Sequence, residues 1–147
     1  LAAEGEATVT LRPLPAFSDD GASVCLAPPP VAPNDFRLRF KTTLRDFYDG
    51  ARAQAGADEV VFVDADGFIT EGSITNVFVE RDGVFITPPA SRGLLPGVLR
   101  AELLAQGRAR EGELRAEDLA AGFLIGNSVR GLVKARLAEP AKNARAG

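Results

Sequence analysis

Phe68-Ile69-Thr70-Glu71-Gly72-Ser73-Ile74-Thr75-Asn76-Val77-Phe78-Val79 sets two short β-type runs against each other around an acidic, glycine-bearing corner. Upstream, Val60-Val61-Phe62-Val63 is a continuous apolar run rich in β-branched residues, and Ala65-Asp66-Gly67 is a turn from which Phe68-Ile69-Thr70 leaves as a strand. Glu71 therefore falls where that strand is expected to be buried. A carboxylate there is costly unless a positive or hydrogen-bonding group meets it. Gly72 offers the freedom of a bulge or of close approach to another group, and Ser73, Thr75 and Asn76 gather small polar side chains at the same point. The plain alternative is a polar hairpin corner with a solvated glutamate.

Composition sets the frame. A chain of 147 residues is about one domain, and that length buries roughly 68–70% of its unfolded surface. Hydrophobic residues make up 46% and charged residues 25%, as in ordinary globular domains. The net charge of −3 supplies no broad positive field, so no nucleic-acid partner is expected, and the basic tail from Lys134 to Arg145 is short and interrupted by Glu139. No apolar run approaches the ~18 residues of a membrane span and no signal-like start is present, so a cytoplasmic protein without a membrane partner is expected. Cys25, the lone cysteine, sits in the apolar run Ser23-Val24-Cys25-Leu26-Ala27 and reads as a buried structural thiol in a reducing compartment. Without histidine these residues cannot support Ser-His or Cys-His catalysis or a His-ligated metal, and no metal site is expected. The chain also lacks methionine, even at position 1, which leads us to expect a trimmed or partial product with a portion ahead of Leu1.

Ala7-Thr8-Val9-Thr10-Leu11-Arg12 reads as a strand, followed by Pro13, Pro15 and the polar Ser18-Asp19-Asp20-Gly21 loop. Strand character resumes from Ala22 to Ala27. Pro28-Pro29-Pro30-Val31-Ala32-Pro33-Asn34 is a stiff extended crossing, with a linker or partner-binding segment as the alternative. Arg37-Leu38-Arg39-Phe40 reads as a further strand that ends at Lys41. A helix then runs to about Gln54, with Leu44, Phe47, Tyr48 and Ala51 on one face, Thr42 or Thr43 as N-cap and Gly56 as the stop. Only three of the 17 basic residues are lysines, Lys41, Lys134 and Lys142. A lysine at a strand-to-helix junction in an arginine-rich chain points to chemistry a guanidinium cannot do, condensation of a free amine with a carbonyl. An exposed surface lysine is the alternative.

Beyond the corner, Val77 to Thr87 reads as strand, Asp82-Gly83 turn and strand, ended by Pro88-Pro89. Gly93-Leu94-Leu95-Pro96-Gly97 leads into a helix over Val98–Ala105 that Gly107 stops. The N–H groups of Gly97, Val98 and Leu99 lack side-chain caps in this reading and form a ready phosphate site, a tight Pro-Gly turn being the alternative. Glu113 to Leu119 reads as a strand end and a short helix. Phe123-Leu124-Ile125-Gly126 is a buried strand that delivers Asn127-Ser128-Val129-Arg130-Gly131, where the Ser128 hydroxyl can meet a phosphate or cap the next turn.

Lys41 with Thr42-Thr43, the Thr70-to-Asn76 corner, Thr87-Pro88-Pro89, Leu95-Pro96-Gly97-Val98-Leu99-Arg100 and Asn127-Ser128-Val129-Arg130-Gly131, in that order, resemble the fold-type IV pyridoxal-phosphate enzymes. That family includes branched-chain and D-amino-acid aminotransferases and 4-amino-4-deoxychorismate lyases, and the motifs look most like the lyase branch. The resemblance implies an α/β fold, a pseudobarrel of mixed sheet with flanking helices. Residues 21–147 would be the cofactor domain, and residues 1–20 the linker or trailing strand of a smaller N-terminal domain.

The resemblance also implies roles. Lys41 would bond pyridoxal 5'-phosphate through its amine and then act as the proton-transfer base. Glu71 would face the pyridine nitrogen, Asn76 would shape the cofactor site, and Gly97, Val98, Leu99 and Ser128 would hold the phosphate. The favoured reaction is conversion of 4-amino-4-deoxychorismate to 4-aminobenzoate and pyruvate in folate biosynthesis. An aminotransferase is the alternative, an inactive fragment serving as a folding or dimerisation module a further one. A small-molecule amino substrate and a homodimer are expected.

Overall fold

The computed structural model describes residues 9–14 and 16–138. Eight strands form one mixed sheet: β1 Ala22–Ala27, β2 Glu59–Val63, β3 Ile69–Gly72, β4 Asn76–Arg81, β5 Val84–Thr87, β6 Ala109–Glu111, β7 Phe123–Asn127 and β8 Gly131–Leu137. Their spatial order is β3-β2-β1-β8-β7-β4-β5-β6, with β1 parallel to both β2 and β8, β5 parallel to β6, and the remaining neighbours antiparallel. The two ends of that order meet. Ile69 on β3 donates its N–H to Leu114, just past β6, at 2.7 Å, and Phe68 bridges Arg115. Near the corner, Gly72 N–H reaches the Thr75 carbonyl at 2.8 Å. The sheet thus curls into a pseudobarrel with helices α1 Asp46–Ala55 and α2 Val98–Ala105 outside it.

Strand alternation divides the core. Val61, Ile69, Val77, Val79, Ile125 and Phe123 pack inside the curl. Their neighbours face outward under the helices: Val60 and Phe62 with Tyr48 and Leu38 beneath α1, Phe78 with Leu103 and Ala109 beneath α2. Both faces of β2 and β4 are covered, which is why Val60–Val63 and Val77–Val79 read as continuous apolar runs. Asp82 (φ 53°) and Gly83 (φ 78°) turn the β4–β5 hairpin as the Asp-Gly pair requires.

Two expectations are corrected. Residues 37–40 do not form a strand: Phe36–Leu38 is a 3-10 turn, because the Asp35 carboxylate accepts from Arg37 N at 2.9 Å and also holds the Arg37 guanidinium at 2.9 and 2.7 Å. Lys41 therefore follows a capped turn in irregular chain. Helix α1 starts later than expected, at Asp46, with Arg45 rather than Thr42 or Thr43 at its N-cap; Gly56 (φ 63°) ends it as expected.

Smaller differences concern the ends of elements. Residues 9–14 carry no regular element, and the rest of the expected Ala7–Arg12 strand lies outside the described residues. Cys25 is half-buried, its thiol 3.4 Å from the Ala55 carbonyl. The strand expected at Glu113 ends at Glu111, and the helix after it is a 3-10 turn over Ala116–Leu119. Among the described residues no helix is long and apolar enough to cross a membrane.

Candidate active site

The corner between β3 and β4 is organised around a second buried acid. Glu59, 1% exposed at the start of β2, accepts from Val60 N (2.9 Å), Ser73 N (3.0 Å), Ser73 Oγ (2.5 Å), Ile74 N (3.3 Å) and Thr75 Oγ1 (2.8 Å). Five donors on one carboxylate satisfy a charge that would otherwise be costly to bury, and they pull residues 73–75 into one conformation. Gly72 is needed beside it: a Cβ there would overlap Thr75 Oγ1 and lie 2.9 Å from Glu59 Oε2. The β2–β3 register also shifts at this point, between Val61 paired with Gly72 and Val63 paired with Ile69.

Glu71 is 5% exposed, and hydrogen-bonding groups meet it on both oxygens. The Tyr48 hydroxyl donates to Oε1, and Leu95 N–H donates to Oε2 at 3.0 Å. Burial pushes its carboxyl up to about 7, against the downward pull of the Tyr48 hydroxyl, the Leu95 N–H and the nearby Arg45; Glu59 adds to the upward push. Burial first, and the neighbouring Glu71 second, drive the Tyr48 hydroxyl far above the usual phenol range, so it stays a donor. Arg45 donates to the Ser73 carbonyl at 2.5 Å, and its guanidinium carbon lies 5.2 Å from the Tyr48 ring centre.

Asn76 opens β4 and spends its whole amide on the turn before α2. Its Nδ2 donates to the Leu95 carbonyl at 3.1 Å and its Oδ1 accepts from Gly97 N at 3.1 Å. This corrects one expectation: Gly97 N–H has a side-chain cap. The N–H groups of Val98 and Leu99 have no acceptor among the described residues. Asn127 closes the site from β7: its Nδ2 donates to the Ile74 carbonyl at 3.0 Å, and its Oδ1 accepts from Val129 N and Arg130 N, each at 3.0 Å. Ser128 is left exposed at the tip of that turn.

These pieces surround one cleft of about 510 Å³. Lys41, Glu71, Asn76, Gly97, Val98 and Ser128 line it, while Leu99 points instead into the core beneath α2. Lys41 is exposed and makes no hydrogen bond or ion pair among the described residues. A second concavity, about 610 Å³ beside Val79, Phe123 and Lys134, holds none of the expected site residues. Sequence reading missed Arg45 and the roles of Tyr48, Glu59 and Asn127. Tyr48 was legible as a face of α1, and Glu59 as an acid directly ahead of a buried run, but apart from Val60 N the partners named for them lie 14 to 23 residues away.

Comparison with known proteins agrees with this fold. The chain is 42% identical to a provisionally named amino-acid aminotransferase from Mesorhizobium loti whose crystal structure superposes with a TM-score of 0.80, covering 94% of this chain and 70% of that one. It is 34% identical over 118 residues to aminodeoxychorismate lyase of Saccharomyces cerevisiae, covering 65% of this chain and 32% of the yeast protein. It is 34% identical over 64 residues to the branched-chain-amino-acid aminotransferase of Escherichia coli, covering 44% of this chain and 21% of that protein. The chain thus spans about a third or less of the curated relatives it matches. The family model for amino-transferase class IV matches residues 2–138, a span that takes in the whole curled sheet, both buried carboxylates and the cleft that Glu71 lines, and the chain therefore belongs to the class IV aminotransferase family.

Proposed function

We propose that this chain is the cofactor-binding part of a pyridoxal-phosphate enzyme, and that the enzyme is a lyase converting 4-amino-4-deoxychorismate to 4-aminobenzoate and pyruvate. The observation that carries the proposal is one cleft lined by an amine without a partner among the described residues, Lys41, and a buried carboxylate, Glu71. The donor set fits pyridoxal 5'-phosphate. It comprises that amine, the carboxylate, two N–H groups at the start of α2 and the exposed Ser128 hydroxyl, around a volume in the range of small-molecule sites. When bound, the cofactor supplies an aldehyde for the amine and an electron-withdrawing ring.

In this reading Lys41 anchors the cofactor and moves the proton at ring C4 of the substrate. As that proton leaves, the bond from the adjacent ring carbon to the enolpyruvyl oxygen breaks. The ring becomes aromatic, and the departing enolate of pyruvate takes one proton on its methylene carbon to become pyruvate. Glu71 carries the counter-charge for the ring nitrogen, which gives its burial a use. The Val98 and Leu99 N–H groups and Ser128 take the phosphate. Gly97 and Asn76 act on it indirectly, by holding the turn that presents those N–H groups.

The yeast relative's name supports the lyase reading. The Mesorhizobium and E. coli relatives' names support a second one, an aminotransferase, the E. coli name pointing to branched-chain amino acids; D-amino acids are the other substrate class in that reading, and the same residues would serve. Incubation with 4-amino-4-deoxychorismate and, separately, with an amino acid and a keto acid distinguishes them. Aminobenzoate and pyruvate in equal amounts support the lyase. Amino-group transfer alone supports the aminotransferase, and neither product points to an inactive fragment. The proposal extends to a small domain ahead of this one joined through residues 1–20, to residues 21–147 as the cofactor domain, and to a cytoplasmic homodimer serving folate biosynthesis.

A further inference from the structure

Each oxygen of Glu71 is tied to a different part of the fold: Oε1 to α1 through the Tyr48 hydroxyl, and Oε2 to the turn before α2 through Leu95 N–H. The Tyr48 ring is 4% exposed and wedged in place, its centre 4.2 Å from that of Phe47 and 5.5 Å from that of Phe62. A ring so packed cannot swing its hydroxyl away from the acid. The groups that face Glu71 are Tyr48 on α1, Arg45 at its cap, Glu59 on β2 and the Leu95 N–H. Glu59 and burial oppose a charge on Glu71, while Arg45 has its guanidinium on the Ser73 carbonyl. The tyrosine is thus the side chain held directly on the acid.

We infer that Tyr48 is a positioning residue for Glu71: its hydroxyl fixes how the carboxylate lies in the cleft and favours the charged form over the neutral acid. The inference rests on the proposed function for the cationic group that Glu71 meets, a protonated ring nitrogen, but the Tyr48–Glu71 pairing stands without it. A buried carboxylate accepting a hydroxyl hydrogen bond is the better anion, and a better anion is the better partner for a cation.

Y48F removes the hydroxyl and keeps the ring between Phe47 and Phe62. In the full chain without added cofactor, the infrared band of the protonated Glu71 carboxyl, assigned by its loss in E71Q, is followed against pH. In Y48F the midpoint is expected to move up by about one pH unit or more, the size of a lost charge-assisted hydrogen bond. An unmoved midpoint overturns the inference. Should Y48F fold poorly, 2,3-difluorotyrosine at position 48, a stronger donor of nearly the same shape, is expected to move the midpoint down, and no movement again overturns it. Absorbance titration with pyridoxal phosphate is the second arm. The pH dependence of its dissociation constant is expected to shift in Y48F by the same amount, and not in Y48F/E71Q relative to E71Q. If the unmodified chain fails to bind pyridoxal phosphate, the proposed function fails while the infrared titration still decides the role of Tyr48.

Discussion

A Cβ on Gly97 would lie 2.5 Å from Asn76 Oδ1, the same atom that accepts the Gly97 N–H at 3.1 Å. The turn that presents α2 to the cleft is therefore closed by an amide with no space to retreat, since its other end is held on the Leu95 carbonyl. Gly97 has φ −69°, so sterics alone, not backbone strain, demand glycine here.

G97A is expected to destabilise the protein by about 1–3 kcal/mol through overpacking. N76A, which leaves Leu95 C=O and Gly97 N–H without their partner, is expected to cost about 1–3 kcal/mol. Because removing the amide also removes the clash, the double variant falls short of the sum by about 1 kcal/mol. Urea unfolding of the four proteins measures the cycle, and strict additivity would separate the two residues.

The elevated carboxyl of Glu71 links stability to pH. Folding raises it from 4.5 to about 7, so the folded chain holds this proton where the unfolded chain has released it. Glu71 therefore costs nothing below pH 4.5, and its cost grows as pH rises to about 7. The full penalty above that point is about 3 kcal/mol. Urea unfolding in the absence of cofactor at about pH 5 and about pH 8 is expected to show this loss in the parent chain and most of it gone in E71Q.

Much of this fold was legible because it is local. The Val60–Val63 run, the Asp82-Gly83 turn and the Gly56 stop each declare themselves within a few residues, and the structure places them as read. Residues 37–40 were misread as a strand because their β-type spacing is overruled by the Asp35 carboxylate gripping Arg37. The site was legible as a set of chemical types and not as a network. Nothing near Glu59 announces donors from residues 73–75, and nothing near Asn76 announces Leu95 and Gly97, because curling of the sheet creates those contacts.

Glu59 supports the corner and does no chemistry in this account. E59Q puts an amide where five donors converge, which turns at least one into a donor-donor contact, and is expected to cost about 2–4 kcal/mol. G72A drives a methyl into the same network and is expected to cost about 1–3 kcal/mol. Thermal unfolding measures both. A melting temperature unchanged in E59Q would mean that the corner keeps its shape without that anion.

Reductive trapping tests the central claim most directly. The purified chain is incubated with pyridoxal phosphate, treated with borohydride, digested, and the modified lysine located by mass spectrometry among Lys41, Lys134 and Lys142. The account predicts one adduct on Lys41, diminished when E71A removes the carboxylate that lines the same cleft. Modification spread evenly over the three lysines, or an adduct on Lys41 indifferent to E71A, would contradict it.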